Sequence, residues 1–372
     1  MSKKILINLN TSWNIYNFRL GLIKYLQSKG YEIITLSPKD EYILELESIG
    51  VKCYHVLLNQ KSTNPFTDFI LFIKYLKLFN KIKPDLILSY TIKPNIYGNF
   101  AANILNIPTV NNISGLGTIF IKRNFLSYTG KLLYKLSLKS SAHIFFQNNN
   151  DQLTLSKLAL LSSNEAELIN GSGVDLSVFS QQPFNSGVPI VILAARLLKD
   201  KGIKEFVDAA KLVNNNNNRA RFVLVGEPDL HNPASIQKHE LDSWESEGIV
   251  ELWGHKEDMN KVISLSTIVV LPSYREGFPK ILIEAAACGR PIITTDVPGC
   301  RDAIEKDVTG IIVSVRNPIE LARKISFLLD SPILCREMGN AGRVRAEEIF
   351  DVNKVVEKHI KIYDDLSNRV FL

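Results

Sequence analysis

The chain has 372 residues, of which 45% are hydrophobic and 22% charged, with a formal net charge of +6 and four cysteines. That length exceeds one ordinary hydrophobic core and suits two α/β domains, and the composition excludes a disordered chain. Cys53, Cys288, Cys300 and Cys335 lack paired metal-ligand spacing and no run approaches the roughly 18 apolar residues of a membrane span, so a reduced cytoplasmic protein is expected.

From the N-terminus, Ile5-Leu-Ile-Asn-Leu9 reads as a strand, too short for the apolar core of a signal peptide. Asn10 to Asn17 reads as the loop after it, and Phe18 to Lys29 as a helix stopped by Gly30. Tyr31 to Ser37 is a second strand, Glu41 to Ile49 a helix and Val51 to Leu57 a third strand. This alternation with short connections predicts a doubly wound parallel sheet. Phe66 to Lys83 is a basic amphipathic helix, Asp85 to Ser89 a strand, and Tyr97 to Leu105 a helix. Thr109-Val110 opens a strand that runs into Gly115-Leu-Gly117; Tyr128 to Ser140 is a second basic helix, and His143 to Phe146 a strand. The polar stretch Gln181 to Gly187, with Pro183, is the expected domain boundary. A second series of strands follows at Ile190–Ala194, Arg221–Val225, Ile249–Leu252, Ile268–Leu271, Ile292–Thr295 and Gly310–Val313, and a last helix at about Val352 to Leu366.

The charge is unevenly spread. Between Lys61 and Lys139 there are eleven Lys or Arg against two acids, Asp68 and Asp85, a local excess larger than the net charge of the whole chain. Aromatics interleave with them at Phe66, Phe69, Phe72, Tyr75, Phe79, Phe120, Phe125, Tyr128 and Tyr134. No nucleic-acid motif accompanies the charge, so nucleic acid is not an expected partner. A solvated basic face and contact with an anionic membrane surface both fit, the second through Lys74, Lys77, Lys81, Lys122, Arg123, Lys131 and Lys135.

Two stretches of the second half carry chemistry. Arg196 and Lys201-Gly202 follow the strand Ile190–Ala194, where an Arg fork and a Lys point charge five residues apart can both reach a diphosphate, although taken alone the stretch reads better as a solvated basic loop. Ser273-Tyr-Arg-Glu276-Gly277-Phe278-Pro279 then leads from the strand Ile268–Leu271 into a helix carrying Glu284 and stopped by Gly289. Pro279 suits the first helical position, and free helix N-terminal amides at the carboxyl edge of a sheet favour anions. Taken alone, Glu276 and Glu284 are equally well read as a helix-dipole partner and a surface residue.

Their pattern decides between these readings. A Glu, seven residues and a second Glu, with Gly-Phe-Pro after the first and Ala-x-Ala-Cys-Gly-x-Pro after the second, resembles the donor-site signature of the family 4 glycosyltransferases. The resemblance implies the GT-B architecture, two facing doubly wound (Rossmann-like) domains with an interdomain cleft. These would be residues 1–180, joined by the C-terminal helix 352–372, and residues 187–351. It implies that Glu284 holds the ribose hydroxyls, that Glu276 faces the donor sugar, and that the Gly277 and Phe278 amides approach the diphosphate. Arg196 and Lys201 match the family's pyrophosphate-binding pair. Val225-Gly226-Glu227 and Trp253-Gly254-His255 match its next two strand ends, the second of which lies at the nucleobase.

The first domain departs from the general pattern. Its first loop, Thr11 to Arg19, lacks a glycine pair, and no His follows the strand Thr109 to Ser114; His55 and His143 alternate with strand residues and read as structural. Instead Tyr16-Asn17-Phe18-Arg19, Asp40-Glu-Tyr42, Asn64-Pro-Phe66, Lys93-Pro-Asn95 and Gly115-Leu-Gly117-Thr-Ile-Phe120 resemble bacterial enzymes that extend undecaprenyl-diphosphate-linked sugars. The N-acetylgalactosaminyltransferases of bacterial N-glycan assembly are the nearest type. The resemblance therefore places Asn17, Arg19, Lys93, Gly115, Gly117, Lys74, Lys77 and Lys81 on the acceptor and membrane side. It implies retaining transfer of an N-acetylhexosamine from a UDP-sugar to a lipid-linked saccharide, with no cofactor or metal, at the inner face of the cell membrane. A nucleotide-sugar 2-epimerase of the same architecture and a non-catalytic nucleotide-sugar-binding partner are the alternatives.

Overall fold

The structure, a computed structural model, describes residues 3–59, 64–116, 125–157, 166–215, 220–229 and 232–369. The chain forms two compact units, Met1–Ser172 with Asn353–Leu372, and Gly173–Val352.

The first unit begins with β1 (Lys4–Asn8), α1 (Ser12–Ser28), β2 (Glu32–Ser37), α2 (Ile43–Ser48) and β3 (Lys52–His55). The long basic helix α3 (Pro65–Ile82) precedes β4 (Leu86–Tyr90), and a π turn at Pro94–Gly98 leads into α4 (Asn99–Ile104). Next come β5 (Thr109–Ile113), α5 (Phe125–Leu138), β6 (His143–Phe146), α6 (Asn149–Lys157) and β7 (Ala166–Leu168). All pairings are parallel, in the order β3-β2-β1-β4-β5-β6-β7.

Helix α1 starts six residues before the expected Phe18, so most of the expected loop Asn10–Asn17 is helical. Thr11 sits in extended backbone and its side chain accepts the Asn14 N–H at 3.0 Å. The Asp40 carboxylate accepts the N–H groups of Ser12 and Trp13 at 2.7 and 3.0 Å, satisfying the first-turn donors from outside the helix. Strand β5 is wholly buried although it contains Asn111 and Asn112. A buried network matches Asn111 and the Asn112 carbonyl, while the Asn112 side-chain nitrogen has no partner among the described residues: Asn111 donates to Asn95, Ser141 donates to Asn111, and Asn95 donates to the Asn112 carbonyl. Helix α3 turns Leu71, Tyr75, Phe79 and Ile82 inward, and Tyr75 stacks on Phe79 at 5.4 Å.

The second unit contains β8 (Ile190–Ala194), α7 (Ile203–Asn214), β9 (Arg221–Val225), α8 (Lys238–Ser246) and β10 (Glu251–Gly254). It continues with α9 (Met259–Leu265), β11 (Ile268–Leu271), α10 (Lys280–Ala287), β12 (Ile292–Thr295), β13 (Gly310–Val313), α11 (Pro318–Leu329) and α12 (Pro332–Arg345). The order is β10-β9-β8-β11-β12-β13, again all parallel. These are the two doubly wound sheets read from the strand and helix alternation.

The break between units falls at Ser172–Gly173 rather than in the polar stretch 181–187. Val174 and Phe179 already belong to the second unit's core. Gly173 has a φ of +76°, and a Cβ there would lie 2.6 Å from the Val352 Cα. Val174 exchanges hydrogen bonds with Phe350 and Val352 at 2.8 and 3.0 Å. Gln182 and Pro183 are a strap on that unit, held by the Arg290 guanidinium through their carbonyls. The last helix, α13 (Val352–Arg369), packs on the first unit through Val355, Val356, His359 and Tyr363, all buried.

Candidate active site

At the carboxyl ends of β8, β9 and β10 the backbone is stitched into one ledge. Gly226, just past β9, has a φ of +137°, and a Cβ there would fall 2.0 Å from the Ala195 carbonyl oxygen. Only glycine allows that approach. The Gly226 N–H donates to the Gly254 carbonyl at 2.9 Å, and the Leu197 N–H to the Glu227 carbonyl at 3.2 Å. Arg196 stands exposed on this ledge, and His255 is exposed one residue beyond β10.

A second set of bonds ties the loop after β8 to the loop after β11. Gly202 has a φ of +74°, and a Cβ there would sit 2.2 Å from the Pro272 carbonyl oxygen. The Asp200 carbonyl accepts the Tyr274 N–H at 2.8 Å and the Ser273 hydroxyl at 3.0 Å. This brings the Lys201 Nζ to 2.5 Å from Glu276 Oε1, with the two side chains 15% and 12% exposed. A cation and a carboxylate from neighbouring strand ends thus meet where the strand order reverses, the usual place for ligands in open α/β sheets. The loop is braced from behind. A Cβ at Gly299 would be 2.3 Å from the Gly277 carbonyl oxygen, and the Thr295 hydroxyl donates to the Ser273 carbonyl. Tyr274 donates to Glu205 at 2.5 Å with the Arg316 guanidinium 4.7 Å over its ring. Burial, with Glu205 beside it, pushes the Tyr274 phenol up to about 12, so it stays a donor.

Pro279 is the N-cap of α10, one residue before the helical position expected for it. The Phe278 ring turns to Phe350, edge-on at 5.8 Å, and packs against the core while remaining partly exposed. Glu284, in the second turn of α10, is 6% exposed and lies 3.3 Å from Lys280. Burial pushes its carboxyl above the usual carboxylate range, and the Lys280 ammonium opposes that shift.

Two arginines that sequence reasoning assigned no role hold this apparatus together. Arg290 is fully buried; its guanidinium donates to the carbonyls of Gln182, Pro183 and Ser264 and lies 4.5 Å over the Phe184 ring. Arg343 donates to the carbonyls of Phe179 and Ala287 at 2.9 and 2.8 Å, satisfying one of the orphan carbonyls that end α10. The residue types alone gave no signal of this, because the partners are carbonyls distant in sequence. Among the described residues no group of three or more His, Cys, Asp or Glu could hold a metal ion.

The residues expected on the acceptor and membrane side are scattered over the first unit. Asn17 lies within α1 and donates to the Trp13 carbonyl at 2.9 Å. Arg19 is 5% exposed and stacks over Tyr90, so it belongs to the interior. Lys93 is paired with Asp68 at 2.5 Å, and Asp68 also accepts from Tyr97. Gly115, at a φ of +138°, precedes Leu116, whose N–H donates to the buried Asp151. Lys77 and Lys81 are exposed on α3 and Lys74 is partly so. Gly117, Phe120, Lys122 and Arg123 lie outside the described residues. His143 is buried in β6, edge-on to Phe145 at 4.6 Å.

Two Rossmann-like parallel sheets, with a cation and carboxylate pair at the switch point of the second, define the class. Residues 177–345 match the family described as glycosyl transferases group 1, and residues 4–148 match glycosyl transferase 4-like. The chain belongs to this family and is a glycosyltransferase of the GT-B fold. It is 31% identical, over 96% of its length and 97% of the relative's, to N,N'-diacetylbacillosaminyl-diphospho-undecaprenol alpha-1,3-N-acetylgalactosaminyltransferase of Campylobacter jejuni. It is 23% identical to UDP-Gal:alpha-D-GlcNAc-diphosphoundecaprenol alpha-1,3-galactosyltransferase of Escherichia coli, over 92% of this chain and 91% of that one. In fold it is similar to Anabaena HepE in complex with UDP, at a TM-score of 0.80 and 17% identity, over 98% of this chain and 100% of that one.

Proposed function

We propose that this glycosyltransferase moves an N-acetylhexosamine from a UDP-sugar to a polyprenyl-diphosphate-linked saccharide in the assembly of a bacterial surface glycan. The observation that carries the donor half is the Lys201–Glu276 pair at the second unit's switch point, beside the Arg196 ledge. The acceptor half is supported by the diphospho-undecaprenol in the names of the two bacterial relatives. In this reading Arg196, Lys201 and the amides of Gly277 and Phe278 receive the diphosphate. Glu284 accepts from the ribose hydroxyls, and Gly226, Gly254 and His255 line the nucleobase end.

The anomeric carbon–oxygen bond to the β-phosphate breaks while an acceptor hydroxyl attacks from the same face, so configuration is retained. The departing phosphate oxygen takes the acceptor's proton. Negative charge that grows on the diphosphate is stabilised by Arg196 and Lys201, which makes the catalysis chiefly electrostatic. Glu276 orients the sugar and stabilises positive charge at the anomeric carbon. No resident metal or cofactor takes part.

The lipid tail of such an acceptor lies in a bilayer, and the first unit carries a surface suited to one. Phe66 and Phe69 are 70% and 59% exposed on α3 with Lys77 and Lys81, and Tyr128, Leu132 and Leu136 are exposed on α5 with Lys131 and Lys135 nearby. No helix among the described residues is long and apolar enough to cross a membrane, and the reading is of peripheral attachment at the inner face of the cell membrane. Incubation of a panel of UDP-sugars with a polyprenyl-diphosphate-linked saccharide, with and without a chelator, tests the whole. An α-linked product formed from an α-linked donor in both conditions is expected; epimerised donor, or no product from any pair, overturns the reading.

A further inference from the structure

Six strands of the seven-stranded first sheet run in the same order as the six of the second, and each sheet reverses its strand order once, between β1 and β4 in the first and between β8 and β11 in the second. In the second unit that point holds Lys201 and Glu276. In the first it holds Arg19, from the helix after β1, whose guanidinium lies 4.1 Å over the ring of Tyr90, the last residue of β4. Arg19 is 95% buried, and Tyr90 and Tyr363 of α13 more so. Unlike Lys201, Arg19 has no carboxylate partner among the described residues, and its Nε–H has no acceptor. The hydroxyls of Tyr90 and Tyr363, both within electrostatic reach of the guanidinium, are also buried without a hydrogen-bond partner. So is the hydroxyl of Thr91, the residue after β4, which is held at a φ of +66° that a β-branched side chain rarely adopts.

A buried cation without a counter-charge is costly, as is a buried donor without an acceptor. An anion rich in oxygen relieves both at once, and a guanidinium fork fits two phosphate oxygens. We propose that Arg19, Tyr90 and Tyr363 form an anion site at the switch point of the first unit, which takes a phosphate of the acceptor's diphosphate. The proposal rests on the lipid-linked acceptor argued above and deepens it. The acceptor would be recognised by its diphosphate inside the first unit, independently of the exposed lysines that face a bilayer. Tyr90 supports the guanidinium from below, and the phenol hydroxyls supply further donors to the same phosphate.

Titrating the full chain with inorganic pyrophosphate in saturating UDP, which fills the donor site, reads this site directly. The native chain is expected to bind, and Arg19→Gln to bind at least tenfold more weakly. Tyr363→Phe keeps the ring, removes only the hydroxyl, and is expected to weaken binding by less; it carries the test if Arg19→Gln does not fold. Transfer to a short prenyl-diphosphate-linked saccharide is then compared with transfer to the alkyl glycoside of the same saccharide. KM for the diphosphate acceptor should rise tenfold or more in Arg19→Gln, with KM for the alkyl glycoside unchanged. Equal changes on both acceptors, or pyrophosphate binding untouched by either variant, overturn the site. Loss of pyrophosphate binding with both KM values unchanged makes it a free-phosphate site and overturns the acceptor assignment. If the native chain transfers to neither acceptor, the lipid-linked reading fails, and the pyrophosphate titration decides on the anion site by itself.

Discussion

Burying a carboxylate in the second turn of α10 removes it from water, and the Lys280 ammonium 3.3 Å away offsets only part of that loss. Because the folded pKa of Glu284 is raised, its contribution is most favourable in acid and is lost as pH rises through that folded value. Glu284→Gln is therefore expected to raise Tm at pH 7, with the gain shrinking toward pH 4. The same change should weaken UDP binding, since a charged acceptor for the ribose hydroxyls contributes about 1.5–3 kcal/mol. Thermal scans at both pH values and calorimetry with UDP check the two halves separately; unchanged UDP affinity removes Glu284 from the ribose. At Lys201 the expectation concerns rate. Lys201→Ala should lower turnover by a larger factor than it weakens UDP-sugar binding, because the diphosphate gains charge as the bond breaks. Equal losses in both would make it a ground-state contact only. The acidic signature and the basic pair were legible because each lies in one short stretch of sequence. The contact between Lys201 and Glu276 spans 75 residues and was not.

Helix α3 shows how an element divides its faces. Tyr75 and Phe79 pack inward while Phe66 and Phe69 face out, so aromatic content alone did not say which rings were free. Replacing Lys74, Lys77 and Lys81 by Glu should reduce binding to anionic vesicles and activity on long-chain acceptors, while sparing a short soluble acceptor. Sedimentation with and without added salt measures the first, and equal loss on both acceptors would count against a membrane face. Helix α13 is held by His359, whose Nδ1–H donates to the Val355 carbonyl and whose Nε2 lies 3.1 Å from the Asn112 side chain. Burial pushes this imidazole down to about 4. The neutral ring's stabilisation is thus complete above its ordinary value of about 6.5 and is lost as pH falls from there toward 4, by on the order of 3 kcal/mol. Hydrogen exchange along α13 should accelerate over that window, and His359→Phe should flatten the dependence. A pH-independent exchange rate in the native chain would contradict it.

For the whole molecule the division at Ser172–Gly173 sets what each ligand stabilises. UDP at a hundredfold excess over its Kd contributes about 2.7 kcal/mol to the state that binds it. Hydrogen exchange should show that protection in strands β8 to β13 and not in β1 to β7; uniform protection of both would place the nucleotide elsewhere. The amino-acid sequence by itself determined that there are two doubly wound sheets, because strand and helix periodicity and the glycines at strand ends are local properties. It also placed the cations and carboxylates of the candidate donor site at those strand ends. Tertiary structure decided the rest. Strand order, fixed by crossovers rather than by any local pattern, put the loops after β8 and β11 side by side and brought Arg19 over the Tyr90 ring at the end of β4. It moved the break ahead of Val174, since membership in a core depends on what a side chain packs against. It lengthened α1 through Asp40, a cap supplied from the loop after the next strand, which no reading of the helix's own residues contains.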